Sequence, residues 1–184
     1  MKEIQERLKI LIQSAIIEII ENNSEKIVSY NKKSPTEVFI SVSGLAVDVF
    51  PGQHGGISIS LIPAGVSETE VAECADLDLY FDGSKSLPAC KSLSTYVSSL
   101  VEGDLSCDEE SWYKEISNII FIATAMAAMS SKVVESLCSV NIQAYTPSGS
   151  EYTRFFKFYV FDRESNSKLR NYCEAVLLNR YVLS

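Results

Sequence analysis

A single histidine, His54, stands in the whole chain of 184 residues, so any mechanism that needs an imidazole base has one residue to draw on. The five cysteines are an odd number without a C-x-x-C pair, which argues against both a disulfide framework and a zinc knuckle and for free thiols in a reducing cytoplasm. No long apolar run is present. The uncharged and strongly apolar stretch Ile116 to Ser131 is shorter than the ~20 apolar residues that a spanning helix needs and reads as a buried core helix. The first residues, Met1-Lys2-Glu3-Ile4-Gln5-Glu6-Arg7, interrupt anything like an export signal with acids, so a cytoplasmic, non-membrane protein is expected. Glycine-rich dinucleotide or phosphate loops, zinc-protease pairs and nucleophile elbows are also missing, and no cofactor or metal is expected.

What is present is ordinary in amount and uneven in placement. Apolar residues make up 46% and charged residues 22%, which describes one globular domain, residues 1–184, rather than a disordered or fibrous chain. The net charge of −8 is regional. Between Val66 and Glu115 twelve acids stand against Lys85, Lys91 and Lys114, so that segment carries −9 and everything else +1. A field of one sign repels nucleic acid and anionic membranes and draws in a protein partner with a basic surface. The plainer role of such acids is to solvate loops and to begin helices, where carboxylates suit the positive end of the dipole.

Hydrophobic spacing predicts helices over residues 2–23 and from Ser24 through Tyr30. Alternation predicts a strand over Glu37–Phe50, in which Gly44 fits either a bulge or a hairpin turn. After the turn Pro51–Gly56 comes a second strand at Ile57–Leu61, with one apolar and one polar face. Residues 66–107 form an acidic, mainly helical insert, with a capping signature at Ser67–Glu70, a short strand over Asp78–Phe81, and a helix that begins at Pro88 and ends at Gly103. Asp108–Leu137 reads as one long helix at the centre of the core. Strands at Val140–Thr146 and Tyr152–Asp162, the second buried on both faces, precede a last helix over Ser165–Tyr181. The order gives an α-β-β pattern twice plus a C-terminal helix, an α+β fold with an antiparallel sheet covered on one face by helices.

Several residues invite chemistry. His54 sits in a glycine-flanked turn without an evident orienting partner and reads as an exposed turn residue. Cys90 falls in the first turn after Pro88, where a helix dipole lowers a thiol pKa, although free cysteine is usually buried and inert. Asp76–Gly83 superficially resembles a calcium loop, but its glycine stands at the eighth position and Leu87 occupies the place of the bidentate glutamate. Tyr145, Tyr152, Phe155, Phe156, Phe158, Tyr159 and Phe161, with Arg154 and Lys157 between them, are a core strand before they are a stacking platform for single-stranded nucleic acid.

A compact acidic α+β domain without catalytic motifs resembles, over its whole length, the small immunity proteins with which bacteria neutralise toxins. That resemblance implies inhibition of a cognate toxin by occluding a basic surface. The expected binding face is Glu68, Glu70, Glu73, Asp76, Asp78 and Asp82, with Asp108, Glu109 and Glu110. Two other readings stay open: a small hydrolase or ligand-binding enzyme using His54 or paired carboxylates, and a structural or adaptor subunit.

Overall fold

The computed structural model describes residues 1–32, 42–63, 79–84, 86–102, 109–142, 156–161 and 170–182. Helix α1 (Lys2–Asn22) is amphipathic as its spacing predicts, burying Leu8, Ile12, Ala15, Ile16, Ile19 and Ile20. It breaks at Asn23, whose amide side chain donates to the Ile19 carbonyl at 2.8 Å, and α2 (Ser24–Lys32) follows. Strands β1 (Val42–Phe50) and β2 (Gly56–Pro63) form an antiparallel hairpin around a 3-10 turn at Pro51–Gln53. Gly44 belongs to a register irregularity in β1, a bulge rather than a hairpin turn. A side chain there would meet the Lys157 carbonyl oxygen at 2.9 Å, so close approach of the neighbouring strand also demands glycine.

Short β3 (Tyr80–Asp82) is followed by α3 (Pro88–Val101), which starts on Pro88 as expected. The long helix expected over Asp108–Leu137 is instead two, α4 (Glu109–Ala128) and α5 (Ser131–Ser139), bent by 52°. The reason is Ser130, which adopts an extended backbone and accepts the Val133 N–H on its hydroxyl, an N-cap in the middle of an apolar run. Strand β4 (Lys157–Phe161) occupies the second half of the aromatic run. The last helix, expected from Ser165, begins at Cys173 as α6 (Cys173–Val182), because Arg170–Tyr172 are taken up as β5 against β4. Residues 143–146 lie outside the described residues and Val140-Asn141 close α5 by hydrogen bonds to Leu137 and Cys138, so the expected second strand pair, and with it the repeat, is not established.

The fold is α+β, but the sheet is mixed, not purely antiparallel. Its order is β3-β2-β1-β4-β5, and β1 pairs with β4 in parallel. Such a pairing requires a long crossover, which the segment containing α3, α4 and α5 supplies.

Alternation gives the sheet two unlike faces. Leu45, Val47, Val49, Ile57, Ile59, Leu61, Phe81, Phe158 and Val160 share the hydrophobic core with α1, α3 and α4. The opposite face carries Gly44, Ala46, Asp48, Ser58, Ser60 and Tyr159. Sequence alternation points that second face to water, yet Asp48, Ser58 and Ser60 are all fully buried. Ala46 and Tyr159 are buried too, apart from the helical core cluster. Among the described residues no single helix is long and apolar enough to cross a membrane.

Candidate acidic binding site

Of the nine acids expected to form a binding face, Glu68, Glu70, Glu73, Asp76, Asp78 and Asp108 lie outside the described residues. Asp82 closes β3 and is exposed, Glu109 begins α4, and Glu110 in the next position is exposed. The structure does not gather these into one compact patch. Asp82 lies near Cys90 in the first turn of α3, whereas the start of α4 is tied to the other end of α3 by the Trp112 indole N–H, which donates to the Leu100 carbonyl at 2.9 Å. A helix of 14 residues therefore separates them, about 20 Å at 1.5 Å per residue.

The N-terminus of α3 is built by a residue that charge counting does not single out. Its N-cap, Leu87, offers no side-chain acceptor. Glu18, one helix away on α1, fills that role: its Oε2 accepts the backbone N–H of Ala89 at 2.8 Å and of Cys90 at 3.2 Å. The carboxylate meets the positive end of the helix and ties α1 to α3. Glu18→Ala is expected to cost about 1–2 kcal/mol, as for other lost caps with a charged acceptor, and Glu18→Gln to recover part of it. Urea unfolding curves measure both, and an unchanged midpoint for the alanine variant would remove the cap from the account.

Cys90 follows the expectation of a buried, inert cysteine and not that of a thiol activated by the helix dipole. Burial, then the Glu18 carboxylate beside it and, least, the charge of Asp82, push its thiol from 9.0 up to about 11, so the helix dipole does not make it a thiolate. Native Cys90 is expected to resist iodoacetamide at pH 8, read residue by residue by mass spectrometry; rapid labelling there would contradict the assignment. Since the unfolded thiol ionises near 9 and the folded one near 11, its contribution to stability is complete below pH 9 and is lost as the pH rises through that window.

His54 is exposed, in the left-handed backbone region at φ 53°. The turn that carries it is held between two helices, with Gly55 against Val97 of α3 and Gly52 against Tyr113 of α4. Among the described residues no three His, Cys, Asp or Glu side chains converge as metal ligands.

Among the described acids Asp48 alone is fully buried, and it is not one of the acids of the expected site. It is fully buried in the central strand, and its register neighbours across the sheet are Ser58 on β2 and then Asp82 on β3. The signal for it in the sequence is a lone charge inside an otherwise apolar strand with serines alternating on the strand opposite. The Ser58 hydroxyl, fully buried, has no hydrogen-bond partner among the described residues. Ser58→Ala is therefore expected to stabilise the protein by about 1 kcal/mol, because an unsatisfied hydroxyl costs desolvation without return. A loss of comparable size in thermal or urea unfolding would show that the hydroxyl is bonded after all.

Neither a known protein family, nor a curated protein, nor a solved structure matches this chain.

Proposed function

We propose that the protein is a non-enzymatic acidic binding protein, of the kind that bacteria use as immunity proteins, and that it inhibits a toxin by covering a basic surface. The observation that carries this reading is the segregation of charge, −9 within residues 66–115 against +1 elsewhere. Asp82 and Glu110, exposed near opposite ends of α3, are consistent with a broad footprint rather than a point contact. A toxin that acts on nucleic acid fits best as partner, because a protein that grips phosphates presents lysine and arginine. Acids facing such a surface steer association and set its salt dependence. His54 is an exposed turn residue and the Cys90 thiol is pushed up by burial, which speaks against the rival readings that would use either in catalysis.

Co-purification from the native host with identification by mass spectrometry tests the proposal. A basic partner that is lost on combining Asp82→Lys with Glu110→Lys supports it. Recovery of no partner, or of one indifferent to that charge reversal in a variant whose circular dichroism is unchanged, overturns it.

A further inference from the structure

The register of β3 fixes which way its peptide groups point. Leu61 N–H donates to the Leu79 carbonyl at 3.1 Å and Gly83 N–H to the Ile57 carbonyl at 2.8 Å, on either side of the pair Ile59 and Phe81. In an antiparallel ladder such hydrogen-bonded pairs alternate with pairs whose N–H and C=O point away from the partner. Tyr80 and Asp82 are the intervening residues, so their peptide groups point outward from β2. β3 is the end strand of the sheet, and the backbone of Asp82 has no hydrogen bond to any described residue across that outer edge. An edge of this kind is a template for a further strand.

Charge says which strand. The Asp82 side chain is exposed at the edge, and in sequence residues 64–84 hold six acids and no lysine or arginine. The Asp82 carboxylate at the edge discourages pairing with its own copy in another molecule and makes an extended segment bearing lysine or arginine the complementary occupant. We infer that the partner docks by strand addition, laying a basic extended segment along β3 so that its backbone pairs with the N–H and C=O of Asp82 while one of its cations meets the Asp82 carboxylate. This inference rests on the acidic-binder reading and adds the geometry of contact.

Two synthetic octapeptides of alternating lysine and valine test it on the full chain, one unmodified and one N-methylated on the backbone nitrogens of one edge. Both carry the same charge. The unmodified peptide is expected to bind saturably by isothermal titration, to slow hydrogen exchange at the Asp82 amide, and to lose at least tenfold in affinity on N-methylation. Asp82→Asn is expected to weaken binding a few-fold, and Asp82→Pro, which removes the outward N–H, to match the methylated peptide. Because the methylated peptide is tested on the unaltered protein, a proline variant that fails to fold does not blunt the result. Equal binding of the two peptides, or none of either, overturns strand addition; concentration-dependent dimerisation through this edge by sedimentation does so in favour of a second copy. The acidic-binder reading is judged separately, by the co-purified partner.

Discussion

Phe158→Ala is expected to cost about 4 kcal/mol of folding stability, near the top of the range for truncating a buried aromatic side chain. Phe158 is fully buried on β4, faces Leu45 across the parallel ladder, and sets its ring edge-on to Phe156 with centroids 5.1 Å apart. Removing it forfeits the transfer free energy of the ring and leaves a cavity beneath α4, which packs on this strand. It also removes an aromatic pair, which contributes about 0.5–1.5 kcal/mol beyond buried area. For a chain of this length such a loss lowers the melting temperature by about 10–15 °C. Urea unfolding followed by the fluorescence of Trp112, the sole tryptophan, measures it. Phe158→Leu, which keeps most of the volume, should retain the greater part of the stability. A loss below about 1.5 kcal/mol for the alanine variant would mean that the site collapses around the deletion or that β4 lies outside the core.

Gly55→Ala is expected to destabilise by about 3 kcal/mol for two separable reasons. Gly55 has φ +68°, a backbone conformation that costs an L-residue roughly 1–2 kcal/mol. A methyl group there would also stand 2.6 Å from Cβ of Val97, so α3 must move or the turn must open. Relief by Val97→Gly, which removes Cβ together with both γ-methyls, separates the two: in the double variant the clash is gone and the backbone cost remains, while the helix cost of the new glycine cancels in the cycle. The double-mutant cycle in urea is therefore expected to show a favourable coupling of about 1–2 kcal/mol. Additive single effects would place the whole cost in the backbone, and no cost at all would mean that the turn does not lie against α3.

These two residues also mark what is legible in the sequence and what is not. Phe158 lies in an aromatic run whose burial follows from composition alone, and the periodicity of α1 and the proline start of α3 are equally legible. Gly55 looks like one glycine among several in a flexible turn, because its fit against Val97 depends on a residue more than forty positions away. The parallel pairing of β1 with β4 is hidden for the same reason: alternation tells which face a residue takes and says nothing of strand direction. Ser130 is easily lost inside Met129-Ser130-Ser131 because the apolar pattern runs on through it, although a serine that can cap is in plain view. In the candidate site, Asp82 and Glu110 follow from charge counting and are exposed, while Glu18 and Asp48 do not follow from it. Counting charge by region finds acids that face water; it misses those whose role is set by a helix end or by burial.

The parallel ladder at the centre of the sheet governs how the chain can be made. β1 can close one side early, against β2 through a tight turn, but its other side waits for a strand about 110 residues further along. During synthesis the hairpin therefore spends seconds with one long apolar edge open. Folding should be slow for a chain so rich in helix, and fragments that stop short of Lys157 should aggregate where the whole protein does not.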